Sequence, residues 1–226
     1  MGFTIDQIVP WGRNLEEYTR MFLLTTNDLN KHVLGCADGP ASVNVELYQQ
    51  GRSYVSLDPV YAFSATEIDS RIGETARKIS KQLKQNQSDY RWDYYSSPEA
   101  LVEVRLKVME QFLTDYEEGK EAGRYIAGAL PKLPFDDAAF DLVLCSYCLF
   151  TYSEQLDQEF HQQAIQEMGR VGKEVRIFPL LEANGKPSRH WPGVLDFLEK
   201  QAIQTEIITV DYEFQKGGNQ LLTLRA

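Results

Sequence analysis

The run His32-Val33-Leu34-Gly35-Cys36-Ala37-Asp38-Gly39-Pro40-Ala41-Ser42, with Tyr54-Val55-Ser56-Leu57-Asp58-Pro59 after it, constrains this chain more than any other stretch. It reads as a buried strand (Val33 to Cys36), a glycine turn, a helix from about Ala41 to Gln50 stopped by Gly51, and a second strand (Tyr54 to Leu57) tipped by a carboxylate. The amides of such a turn and the helix start beyond it suit a nucleotide-like ligand, and Asp58, nineteen residues past Gly39, is placed to accept from a ribose diol. A Cβ at the turn would collide with that ligand or push the backbone off a usable φ. The segment points to an adenosine-shaped ligand.

At 226 residues the chain can bury a large core as one α/β domain spanning 1–226. An apolar content of 43% and a charged content of 25% suit a soluble globular protein. The formal charge of −10 disfavours nucleic acid as the main partner, because a grip on phosphates needs concentrated lysine and arginine. No run reaches the roughly 18 apolar residues of a membrane helix. The opening Met-Gly-Phe-Thr-Ile-Asp-Gln lacks the basic start and apolar block of an export signal. The cysteines are odd in number (Cys36, Cys145, Cys148), which suits a reducing compartment. A cytoplasmic protein without a membrane partner is expected.

Around the opening motif, strands and helices alternate. An amphipathic helix from Asn14 to Leu29 carries Leu15, Tyr18, Phe22 and Leu29 on one stripe. After Asp58 the alternation is interrupted from Ser64 to Gly119 by two helical stripes, Ile68/Ile72/Ile79/Leu83 and Leu101/Arg105/Val108/Phe112/Tyr116. A crossover needs only about a dozen residues, so the segment 64–119 reads as a helical cap inserted after strand 2. Strands then follow at Arg124 to Ala127, Phe140 to Ser146 and Glu174 to Phe178, with helices over Glu154 to Val171 and Pro192 to Gln201. The chain closes on a hairpin, Thr205 to Phe214 and Gln220 to Arg225. The expected fold is α/β: a seven-stranded, mainly parallel sheet with an antiparallel C-terminal edge hairpin.

The glycine motif, the acid after strand 2, the run Leu133-Pro134-Phe135-Asp136-Asp137 before strand 4 and the terminal hairpin occur in register. Together they resemble the Rossmann-like (class I) S-adenosylmethionine-dependent methyltransferases over nearly everything except the insertion. The resemblance implies S-adenosylmethionine as cofactor. It places Gly35, Ala37 and Gly39 at the family's three turn glycines, with alanine in the middle. The acid often found two positions before the first glycine is Val33 here, and Asp38 is its partial substitute. Asp58 takes the ribose role, with Pro59 fixing the strand exit. The acid near the adenine amino group is replaced by Ala129, leaving the base to backbone groups around Ala129 and Leu130.

Other residues allow two readings each. Asp58 could be a helix cap. Arg13 is either a fork for the cofactor's carboxylate or a surface arginine. Cys145-Ser146-Tyr147-Cys148 ends strand 4, where ligands of open α/β sheets bind, so Ser146 joins the candidate site. The two cysteines read as small buried hydrophobes rather than zinc ligands, and no metal is assigned. His161 reads as a half-buried helix residue, and His190 as a weak candidate base. Tyr90, Trp92, Tyr94 and Tyr95 either line a cavity or pack the cap on the body. No Asn-Pro-Pro-Tyr type motif follows strand 4, which disfavours amine methylation of DNA bases. The expected activity is methyl transfer to a small molecule, the alternative a non-catalytic cofactor-binding or regulatory protein. No catalytic residue and no oligomeric state is assigned.

Overall fold

A computed structural model describes residues 9–225; the first eight residues, on which part of the export-signal reading rests, lie outside them. The strands are Val33–Cys36 (β1), Tyr54–Leu57 (β2), Tyr125–Ile126 (β3), Leu142–Ser146 (β4), Glu174–Phe178 (β5), Gln204–Thr209 (β6) and Gln220–Arg225 (β7). They form one sheet in the order β3-β2-β1-β4-β5-β7-β6. The first five pair in parallel, and β7 runs antiparallel to both β5 and β6. This is the expected sheet, with the reversed strand one place in from the edge.

The helices are Leu15–Phe22 (α1), Val43–Gln49 (α2), Ala65–Gln85 (α3), Pro98–Glu121 (α4), Gln158–Val171 (α5) and Trp191–Lys200 (α6). Every residue of β1 and β4 is buried, as a strand covered on both faces requires. Alternate side chains serve opposite layers. Leu34, Cys36, Val143, Cys145, Val175 and Ile177 pack with α5 and α6, whereas Val33, Leu142, Leu144 and Phe178 pack with α1 and α2. Among the described residues no helix is long and apolar enough to cross a membrane.

Three sequence expectations need correction. The first helix ends at Phe22, not Leu29, because Leu23 turns left-handed (φ 50°) and Arg176 on β5 donates to the freed Phe22 carbonyl at 2.7 Å. Asp28, bonded to Thr25 and to Arg176, then holds a separate turn. Secondly, α5 starts at Gln158 rather than Glu154, since the Asp157 side chain caps it. Thirdly, β6 stops at Thr209 and 210–219 form a loop instead of a tight turn. Val210 and Tyr212 of this loop are buried in the core under α1, and Phe214 stacks on Tyr90.

The insertion forms α3 and α4, each opened by a serine cap, Ser64 and Ser97. At one end Ile68, Ile72, Met109, Phe112 and Tyr116 close around Tyr61 and Tyr125 beside β3. At the other, Ile79, Leu83 and Leu101 meet Tyr90 and Tyr95 above the strand ends. The aromatic segment divides accordingly: Trp92, Tyr94 and Tyr95 pack cap against body, while Tyr90 also borders the cavity beneath.

Candidate functional site

The carboxyl ends of β2, β1 and β4 lie side by side and open into a cavity of about 320 Å³ that α3 and α4 cover. Ligands of open α/β sheets bind at such a place, where the chain crosses to opposite sides of the first strand, and the volume falls in the range of small-molecule sites. The turn supplies Ala37, Asp38 and Gly39, with Ala37 (φ 59°) and Gly39 (φ 56°) both left-handed. Ala37 in that conformation costs about 1 kcal/mol relative to glycine, and its N–H donates to the Leu57 carbonyl at 2.8 Å. Gly35 lies outside the lining. Its missing side chain serves another purpose: a Cβ there would overlap the Asp38 carboxylate and the Tyr54 hydroxyl.

Asp38 is folded back beneath the turn, accepting from the Tyr18 hydroxyl at 2.7 Å and from Ser56 Oγ at 2.8 Å. Burial pushes its carboxyl up to about 6 although both hydroxyls pull it down. Asp58 has a double duty. Its Oδ2 accepts from the Gly39 N–H at 2.9 Å and its Oδ1 from the Val60 N–H at 2.8 Å, capping the turn Pro59–Ala62. The capping reading of Asp58 and its place in the cavity wall therefore both hold. Each oxygen keeps a second lone pair for a ligand. The Gly39 amide is not free to clasp a ligand, because it holds the carboxylate. Burial, with the Asp38 charge adding to it, pushes Asp58 up to about 6 against the pull of those amides.

The expectation that the start of the second helix faces the ligand is not met. That helix begins at Val43, and Pro40, Ala41 and Ser42 do not border the cavity. Ala129 and Leu130 also fall outside the lining; Leu130 packs against the core and precedes a cis proline. Arg13, Pro59 and Ser146 do line it. The Arg13 guanidinium lies 3.6 Å from the Tyr147 ring centre, forms no ion pair among the described residues, and leaves Nε without a partner. Ser146 Oγ and Thr151 Oγ1 are likewise buried without partners beside the cavity. Buried polar atoms of this kind take a partner from ordered water or from a ligand.

Cys148 lines the cavity, but Cys145 is enclosed in the sheet. Among the described residues no group of three or more His, Cys, Asp or Glu comes together as a metal site would require. His161 and His190 pack on each other, ring centres 4.8 Å apart, away from the cavity lining. His190 Nε2 donates to the Ser153 carbonyl at 2.9 Å, and the ring does not line the cavity, so it does not face a substrate there.

Sequence reasoning missed the group that fastens the cap. Glu17, fully buried on α1, forms a two-pronged ion pair with Arg105 of α4 and accepts from Tyr95 at 2.6 Å and Tyr212 at 2.8 Å. Burial works to raise the Glu17 carboxyl, but Arg105 outweighs it and holds it at about 2. The signals were present: Asn14-x-x-Glu17 is a capping box, and Arg105 is a charge on an otherwise apolar stripe. Tyr18, read as core, is core by packing and also a wall of the cavity.

The raised carboxyls set a pH dependence. Between about pH 4 and 6 folded Asp38 holds its proton while an unfolded Asp, ionising near 3.9, has released it, so unfolding free energy falls as pH rises through that window. Ionised, the buried group costs about 3 kcal/mol above pH 6. Asp58 acts in the same direction. Thermal melts should show the wild type losing stability from pH 4.5 to 6.5 and Asp38→Asn losing less. Parallel curves for the two proteins would contradict the assignment.

A family model described as a methyltransferase domain matches residues 96–175. An uncharacterized protein of Methanocaldococcus jannaschii is 31% identical over 222 residues, covering 98% of this chain and 97% of that one. Among solved structures, the methyltransferase domain of a bacterial Hen1 superposes with TM-score 0.51 at 11% identity, covering 93% of this chain and 98% of that one. Magnesium protoporphyrin IX methyltransferase from Synechocystis PCC 6803, solved with S-adenosylmethionine bound, gives TM-score 0.44 at 12% identity over 87% of this chain and 71% of that one.

Proposed function

The chain belongs to the Rossmann-like S-adenosylmethionine-dependent methyltransferases, and from that premise we propose that it methylates a small molecule held beneath the α3–α4 cap. The observation that carries the reading is the meeting of Asp58, the Ala37–Gly39 turn and Ser146 on one wall of a single covered cavity. The residues present fit the donor. Asp58 offers its remaining lone pairs to the ribose hydroxyls, and Ser146 Oγ is a buried hydroxyl in need of a partner. The Arg13 guanidinium, whose Nη1 donates to the Trp11 carbonyl at 3.3 Å and which has no ion pair among the described residues, suits the amino-acid carboxylate.

When bound, S-adenosylmethionine supplies a methyl group already activated by its sulfonium. The chain's own task is to hold an acceptor in line and keep water out; such positioning can contribute up to roughly 7–11 kcal/mol. No histidine lines the cavity. Burial raises the tyrosines Tyr90 and Tyr152, and the hydrogen bond with Cys145, then burial, raises the Cys148 thiol, so none of them is a base at neutral pH. The groups in the wall that ionise closest to neutral pH are Asp38 and Asp58, both pushed up to about 6 and both held by hydrogen bonds at the turn.

Calorimetric titration with S-adenosylhomocysteine tests the donor half. The wild type should bind, and Asp58→Asn, which keeps one acceptor oxygen but loses the charge, should bind about 10–100-fold more weakly. Unchanged affinity in Asp58→Asn refutes the ribose assignment. Binding without transfer of labelled methyl to any cell extract supports the non-catalytic reading instead.

A further inference from the structure

The half of the cavity away from Asp58 has a composition of its own. Its wall is Trp11, Ile79, Leu83, Tyr90, Leu101 and Phe214, contributed by both cap helices and the loops beneath them. The only carboxylates lining the cavity are Asp38 and Asp58, both at the strand ends, so none borders this half among the described residues. Besides Arg13, the lining holds two cations: Arg105, and Arg71 on the side of Phe63, which follows the turn after Asp58. Arg105 is neutralised by Glu17. Arg71 has no ion pair among the described residues: its guanidinium lies flat over Phe63, 3.6 Å from the ring centre. Glu67, one helical turn earlier, is turned away into its capping box with the Ser64 amide and hydroxyl. A guanidinium without a direct ion pair at the rim of an apolar chamber stands out in a chain of net charge −10, which otherwise repels anions, although its charge still acts on the Glu67 carboxylate one turn away.

Resting on the methyltransferase reading, we propose that this chamber takes an amphipathic acid: a small molecule with an apolar, ring-sized body and one anionic group engaged by Arg71. Trp11, Tyr90 and Phe214 offer faces and edges to a flat body, and the aliphatic side chains of Ile79, Leu83 and Leu101 fill the space between. The guanidinium fork matches a carboxylate in plane, and its stacking on Phe63 fixes that fork in advance, which lowers the entropy lost on binding. A cationic acceptor is rejected by the same charge, and a neutral one gains only the apolar contacts.

The test uses protein saturated with S-adenosylhomocysteine and three probes of one shape: 2-naphthoate, its methyl ester and 2-naphthylmethylamine, the last protonated at neutral pH. Calorimetry should rank the acid about tenfold or more above the ester, with the amine weakest. Arg71 is exposed, so Arg71→Leu keeps the fold; it should erase the difference between acid and ester while leaving the S-adenosylhomocysteine titration unchanged. Ester or amine binding as tightly as the acid overturns the proposal, as does an acid preference that survives in Arg71→Leu, or no binding by any probe. Failure of S-adenosylhomocysteine itself to bind sinks the methyltransferase reading instead, so the two failures are distinct.

Discussion

Glu17→Ala is expected to destabilise the protein by about 3–5 kcal/mol, the usual cost of leaving a buried charge without its partner. Arg105 is 1% exposed and Glu17 fully buried, so neither can turn to water when the other is removed. The hydroxyls of Tyr95 and Tyr212 lose their acceptor as well. Against a typical stability of roughly 5–15 kcal/mol, this change leaves little margin. Because the pair joins α1 to α4, the cap should loosen first, and amides of α4 should exchange hydrogen faster in the variant. The double change Glu17→Leu with Arg105→Met removes both charges and should cost less than either single change. Urea unfolding measures all three; a Glu17→Ala loss below about 1 kcal/mol contradicts the role given to the pair.

The second large effect is expected at Gly35, which is not in the cavity wall. An added Cβ overlaps the Asp38 carboxylate, held by Tyr18 and Ser56, and the buried Tyr54 hydroxyl beside it, so the chain must shift to admit it. Gly35→Ala should cost about 3 kcal/mol, the upper end of overpacking a close-fitted core. It should also weaken S-adenosylhomocysteine binding, because Asp38 anchors the turn that faces the cavity. Gly169, inside α5 with nothing near its open face, is the contrast: alanine there should stabilise by about 0.5–1 kcal/mol. Equal effects at the two glycines would show that backbone propensity, not the Asp38 contact, decides.

The sheet was legible because its signals are local. Buried strands such as Val33–Cys36 and Leu142–Ser146 are continuous apolar runs, and the acid after Leu57 marks the ligand edge. What escaped was set by contacts distant in sequence. The first helix reads on to Leu29 by periodicity, yet Arg176, more than 150 positions away, fixes its end at Phe22. The sequence reads as strand on to Phe214, but Tyr212 and Phe214 are drawn back to Glu17 and Tyr90. In the site, Asp58, Arg13, Ser146 and the turn came together in the lining of one cavity. Gly35, Ala129 and Leu130 did not, since a family position gives a backbone location and says nothing of whether that backbone faces the cavity. Arg71 carried no signal at all, because an arginine on a polar helix is indistinguishable from a solvated one until the fold sets it over the chamber.

The most direct measurement is a crystal structure grown with saturating S-adenosylhomocysteine. The ribose hydroxyls should lie within hydrogen-bond distance of the Asp58 carboxylate, with the homocysteine carboxylate beside Arg13 and the cap helices in place above. Density for the ligand elsewhere, or a crevice at Asp58 that stays closed in the presence of the ligand, would contradict the account.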